Sequence, residues 1–238
     1  MVGRTAPSPL DDRARSVAER LHARSRRQLL PAVLPMAAHA VRSRWRTGSW
    51  DSTQTPEGKE WLADKLVALD PEKAALCYLL CRALRAKRVV EVGTSYGVST
   101  IYLAAAVRDT LAEDGGEGVV IGTEHEPAKV AAARAHLDEA GLGRFAEVRE
   151  GDLRETLRDL AGPVDFVLVD IWIPMALPAL ELLTPALRPG ALVVCDNVVA
   201  GRSEYAGYLD LVRRPGGPFR SVTLAAGGGL EVSLKTGP

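Results

Sequence analysis

From Val89 onward the chain alternates short runs rich in Val and Ile with longer helix-like segments. That alternation specifies a mostly parallel sheet with helices on both faces. The spacing predicts strands over 88–92, 119–123, 146–149, 166–169 and 192–195, and helices over 98–107, 127–140, 153–160, 175–187 and 204–213. Pro127 suits a first helical turn, and Asp152 with Glu155 three residues on has the form of a capping box. The run Leu187-Arg188-Pro189-Gly190 ends a helix and turns into the next strand. Two further strands, 220–224 and 230–234, are separated by a stretch containing Gly227-Gly228-Gly229. That interval is too short for a crossover helix, so the pair is expected as an antiparallel hairpin. The expectation is an α/β domain over residues 71–238 with a seven-stranded, mostly parallel sheet.

Residues 1–70 differ in character and are expected as a helical extension that contributes lid or dimer contacts. Leu10, Ala14, Val17 and Leu21 share one helical face, and further helices are expected over 56–69 and 71–85. Between Met1 and Trp50 stand ten arginines against only Asp11, Asp12 and Glu19. Aromatic side chains do not interleave with the first of those arginines, so a solvated amphipathic helix is favoured over a nucleic-acid surface. Over the whole chain 30 Lys and Arg balance 30 Asp and Glu, which argues against a general polyanion binder. The start of the sequence lacks the apolar run of a secretory signal, and no window approaches the ~18 apolar residues of a membrane span. Cys77, Cys81 and Cys195 sit in apolar runs and read as reduced core residues of a cytoplasmic protein.

The segment Val90-Glu91-Val92-Gly93-Thr94-Ser95-Tyr96-Gly97-Val98-Ser99 carries the strongest local signal. A strand ends, a glycine-containing turn follows and a helix opens, which sets backbone N–H groups and small residues against a ligand. A dinucleotide fingerprint would need glycine at 93, 95 and 98, where the chain has Gly93, Ser95 and Val98. Glu91, two residues before the first glycine, suits a ligand with an ammonium group and is a poor neighbour for a pyrophosphate. Glu124, ending the second strand, is placed to accept from a ribose diol. Asp152, after the third strand, either meets an adenine amino group or caps a helix.

These residues resemble the class I S-adenosylmethionine-dependent methyltransferases, and within them the cation-dependent O-methyltransferases of the catechol and caffeoyl-CoA type. The general likeness spans residues 71–238 and implies a Rossmann-like fold. Val167-Leu168-Val169-Asp170 followed by Trp172 resembles that family's fourth-strand motif, and Val193-Val194-Cys195-Asp196-Asn197 its fifth. The tail Gly229-Leu230-Glu231 is similar to the end of catechol methyltransferases. The resemblance implies a donor site in which Glu91 and Ser99 hold the methionine moiety, Glu124 the ribose, and His125, Asp152 and Trp172 the adenine region, with Gly93, Ser95, Gly97 and Asp170 also among the cofactor-binding residues. It also implies Mg²⁺ on Asp170, Asp196 and Asn197, with Asp170 as the catalytic residue, a small hydroxylated aromatic acceptor and a homodimer.

One position departs from that pattern. Ile173 stands where the family carries a lysine base, and an isoleucine takes no proton. Either the cation alone acidifies the acceptor hydroxyl, or a base comes from elsewhere, with His22 and His39 as candidates. Trp45, Trp50, Tyr205 and Tyr208 are candidates for an aromatic acceptor pocket or for ordinary packing. The alternatives left open are a metal-independent methyltransferase, a methyltransferase of hydroxylated tRNA bases, and a non-catalytic ligand-binding homodimer.

Overall fold

The structure, a computed structural model, describes residues 8–29, 65–201 and 203–237. Its elements in chain order are α1 (Asp12–Leu29), α2 (Pro71–Ala83), β1 (Arg88–Val92), α3 (Val98–Asp114), β2 (Val119–Glu124), α4 (Pro127–Glu139), β3 (Ala146–Glu150), α5 (Leu153–Thr156), β4 (Val164–Val169), α6 (Ile173–Leu183), β5 (Leu187–Asp196), α7 (Ala206–Arg213), β6 (Phe219–Leu224) and β7 (Leu230–Lys235). The seven strands form one sheet in the order β3-β2-β1-β4-β5-β7-β6. β1 to β5 pair in parallel, and β7 enters antiparallel between β5 and β6. The parallel sheet and terminal hairpin expected from the sequence are both present.

Two apolar layers sandwich the sheet, as the alternation along each strand requires. Val89, Val120, Phe166 and Leu168 pack on one face with Ile101, Leu103 and Cys77 from α3 and α2. Val90, Ile121, Val167 and Val193 point the other way, toward Ala176, Leu180, Tyr208 and Val212 from α6 and α7. Leu10, Ala14, Val17, Ala18 and Leu21 of the N-terminal segment join the first layer, so the expected apolar face of α1 is buried. Two of its arginines bind the neighbouring helix. Arg13 donates to the carbonyls of Glu139 and Asp138, and Arg20 grips the Glu139 carboxylate at 2.5 and 2.6 Å.

Several boundaries differ from the sequence expectation. Residues 65–69, expected as the end of a helix, are not helical, and residues 56–64 lie outside the described residues. The backbone N–H of Leu66 goes instead to Gln28 Oε1, and that of Ala68 to Ser25 Oγ, both on α1. α5 is a single turn, shorter than 153–160. α6 ends at Leu183 and passes into a 3₁₀ turn at Thr184–Ala186, since Pro185 has no N–H for the α-helical ladder. β5 begins at Leu187, five residues early, because Leu187 already pairs with Val164 before a register shift at Phe166. No helix among the described residues is long and apolar enough to cross a membrane.

Candidate active site

The C-terminal ends of β1, β2 and β4 meet where parallel α/β sheets bind ligands. Gly93 leaves β1 at φ 97°, and a Cβ there would stand 2.1 Å from the Asp170 carbonyl oxygen. Only glycine lets the two strand ends approach so closely. A narrow cleft follows, lined by Leu66, Val67, Ala68, Leu69, Gly93, Thr94, Ser95, Tyr96, Val98, Ser99 and Asp170, with room for about one water (about 10 Å³). Gly93, Ser95, Ser99 and Asp170, singled out in the sequence, share it. Thr94, Tyr96 and Val98 belong to the same glycine-turn segment, whereas residues 66–69, read from the sequence only as the end of a helix, reach the cleft through long-range packing.

Glu91 is fully buried beneath this turn. Its Oε2 accepts from Thr94 Oγ1 at 3.0 Å and from Thr100 Oγ1. Ser99 lies near the same carboxylate, yet Oε1 is buried without a hydrogen-bond partner. Burial pushes the Glu91 carboxyl up to about 7, against the pull of the Ser99, Thr100 and Thr94 hydroxyls. An orphaned buried carboxylate oxygen beside a glycine turn fits a cationic ligand group. Gly97, at φ 81°, is the N-cap of α3.

Glu124 ends β2 with both oxygens engaged by backbone. Ser95 N–H donates to Oε2 and Glu126 N–H to Oε1, each at 2.9 Å. This fixes the carboxylate beside the β1 turn. His125 is exposed next to it. Asp152 caps α5, accepting from Arg154 N–H at 2.8 Å. The Arg154 guanidinium holds its carboxyl down at about 2. Trp172 is the N-cap residue of α6 and is 37% exposed.

Asp170 and Asp196 end the neighbouring strands β4 and β5. Asp170 is partly covered and surrounded by protein, and desolvation, with Asp196 and Glu91 nearby, pushes it up to about 7. Desolvation raises Asp196 too, opposed by Lys73. Lys73, in the first turn of α2 and 4% exposed, donates to Asp196 Oδ1 and to the Gly227 carbonyl. The sequence reading missed it, because its partners lie more than a hundred residues away. Asn197 is exposed, in the left-handed region at φ 62°, with Oδ1 close to Gly228. Among the described residues no group of three His, Cys, Asp or Glu side chains converges as a metal cluster. Asp170 and Asp196 lie within reach of the Lys73 ammonium, which pulls both down against the desolvation that raises them. The oxygen donors of Asp170, Asp196 and Asn197 suit a hard divalent ion.

Ile173 Cδ1 lies against Gly201, an apolar contact where the resemblance places a base. His22 is buried on α1, edge-on to Tyr102 at 6.2 Å, and desolvation lowers it to about 4. It does not line the cleft. Tyr205 and Tyr208 are buried in the second apolar layer, so they are packing residues. His39, Trp45 and Trp50 lie outside the described residues.

Comparisons with known proteins agree with this fold. Residues 90–198 match the family described as Methyltransferase domain. The chain is 34% identical to a catechol O-methyltransferase of Mycobacterium tuberculosis, over 57% of this chain and 59% of that one. A catechol O-methyltransferase of Niastella koreensis is 31% identical over 56% and 59%. The chain thus spans about three fifths of the length of the curated relatives it matches. Among solved structures, the O-methyltransferase TomG of Streptomyces achromogenes, in complex with S-adenosylmethionine, aligns with TM-score 0.63 and 27% identity. That alignment covers 72% of this chain and 83% of TomG. The fold is that of the Rossmann-like methyltransferases, and the resemblance to the catechol-type O-methyltransferases read from the sequence is borne out.

Proposed function

We propose that the protein is an S-adenosylmethionine-dependent O-methyltransferase acting on a small hydroxylated aromatic acceptor, with a divalent cation held by Asp170, Asp196 and Asn197. The observation that carries this reading is the orphaned Glu91 oxygen buried beneath a glycine turn that itself lines one cleft with Ser99 and Asp170, beside an anchored Glu124. Glu91 and Ser99 hold the methionine end of the donor, Glu124 its ribose, and His125, Asp152 and Trp172 flank the adenine. The N-terminal 1–70 segment acts as the lid, α1 bracing residues 65–69 as one wall of the donor cleft. The homodimer implied by the resemblance belongs to the same reading and is read by light scattering.

Methyl transfer from a sulfonium to a hydroxyl oxygen is an in-line displacement: the C–S bond breaks as the O–C bond forms, and the hydroxyl gives up its proton. The chain's task is to align the two partners and exclude water. A divalent ion, when bound, would lower the pKa of the acceptor hydroxyl, and that is the role left vacant by Ile173. Of the ten arginines that motivate the RNA alternative, Arg13 and Arg20 bind α4.

Calorimetry with S-adenosylmethionine, with and without Mg²⁺, followed by an acceptor panel read as S-adenosylhomocysteine release, tests the proposal. Donor binding with turnover of a catechol-like acceptor is expected. Activity should vanish in EDTA and return with Mg²⁺, and Asp196→Ala should abolish turnover while leaving donor affinity within a few-fold. A folded protein that binds no donor would overturn the reading, and full turnover in EDTA would overturn its cation.

A further inference from the structure

Lys73 is a costly residue to keep where it is. A lysine in the first turn of a helix faces the positive end of the helix dipole, and one that is 4% exposed has also given up its water. α2 already has an N-cap without it, since Asp70 accepts from Glu72 N–H. Replacing a buried ion pair by well-packed apolar side chains is often neutral or stabilising, so fold stability alone is a poor reason for this pair.

What Lys73 joins is more telling. Asp196 ends β5, and Gly227 lies in the turn between β6 and β7; the two bonds bridge 123 and 154 residues of chain. The same turn is bolted to the loop after β5, because the Gly228 carbonyl accepts from Val199 and Ala200 N–H, each at 2.9 Å. The fit is close: a Cβ on Gly228 would meet Asn197 Oδ1 at 2.6 Å, and one on Gly229 would meet Val199 Cγ2 at 2.3 Å. Asp196, Asn197, the loop behind them and the C-terminal turn therefore form one unit, and Lys73 is its charged pin. The pin stands within electrostatic reach of Asp170.

We propose that Lys73 is a positioning residue for the acceptor side of the site: by tying Asp196 to the Gly227 carbonyl it sets the orientation of the Asp196 carboxylate and seats the C-terminal turn against the loop after β5. Its place in turnover rests on the methyltransferase reading, whereas the coupling of the turn to Lys73 stands apart from it. Lys73 acts through Asp196 and need not touch either substrate.

The test compares wild type, Lys73→Met, Asp196→Asn and the double variant. Hydrogen exchange on the ligand-free proteins comes first. Amides of 197–201 and 226–229 should exchange about tenfold or more faster in Lys73→Met, with β1 to β4 unchanged. Turnover comes second. Lys73→Met should lower kcat by about tenfold to a hundredfold, with KM for S-adenosylmethionine moving less than about threefold. The double variant should be no slower than Asp196→Asn alone, since the two residues act as one unit. Unchanged exchange in the turn overturns the proposal, and so does a double variant whose losses multiply. If Lys73→Met does not fold, Lys73→Gln is measured in its place, and failure of both to fold assigns Lys73 to stability and overturns the proposal. A wild type that binds no donor overturns the methyltransferase reading, and the exchange result then decides this one.

Discussion

Glu91 carries a cost in the empty protein that a cationic ligand would relieve. Its carboxyl ionises near 4.5 when solvated and at about 7 in the fold. Between those values the folded state holds a proton that the unfolded chain has lost, so this residue makes stability fall as pH rises through the interval. Glu91→Gln should remove that fall. Tm of the ligand-free protein from about pH 4.5 to about pH 8.5 checks it, and parallel curves for wild type and variant would refute the assignment. Donor affinity should rise over the same window as the carboxylate ionises. Glu124 and Glu126 offer a sharper contrast, because the first is braced beside the β1 turn and the second is exposed at the N-cap of α4. Glu124→Ala should weaken donor binding by about 1.5–3 kcal/mol, the loss of a charge-assisted hydrogen bond, and Glu126→Ala by much less. Equal affinities by calorimetry would be the contrary result. Of the residues singled out in the sequence, Glu91, Gly93, Glu124 and Asp170 stand at or just past strand ends, and Ser99 stands in the first turn of α3. Lys73 could not be read that way, because a lysine in a first helical turn looks solvent-facing until the fold brings β5 beneath it.

At the scale of elements, the order of strands and helices was legible because each strand is short and bounded by turn residues. The boundaries that failed are those where a tertiary partner outbid local preference. Residues 65–69 have helix-forming composition, yet Gln28 and Ser25 on α1 take their N–H groups and hold them against the cleft. β5 extends back through Pro189 because Leu187 finds Val164. The dependence of the cleft wall on α1 is measurable. Gln28→Ala leaves the Leu66 N–H without its acceptor, at a cost of about 1–3 kcal/mol where water cannot replace it. The wall should loosen as a result, and donor dissociation followed by stopped flow should quicken. Leu21→Ala, opening a cavity under α1, should destabilise the fold by about 2–5 kcal/mol in a denaturant titration. An unchanged off-rate in Gln28→Ala, with the expected loss in Leu21→Ala, would show that α1 supports the core without governing the cleft.

For the whole molecule, the number of strands and the closing hairpin were foreseeable, whereas the insertion of β7 between β5 and β6 was not, because register is decided by pairing partners that lie far apart in sequence. β7 is an interior strand, paired from Leu192↔Leu234 to Asp196↔Leu230 on one side and along β6 on the other. Ending the chain before Phe219 should therefore strip β5 of a partner along its site-bearing half, and the truncated protein should show loss of cooperative unfolding by circular dichroism. Retention of a sharp transition would mean that five parallel strands suffice. The insertion also fixes an order of events during synthesis. A ribosome delivers β1 to β5 and their covering helices first, so they can begin to pack as they emerge. Until residues 227–235 follow, however, β5 is an open edge, Lys73 lacks one of its two acceptors, and the loop after Asp196 lacks the Gly228 carbonyl. The end of β5 that carries Asp196 thus stays unsupported until β7 joins the sheet.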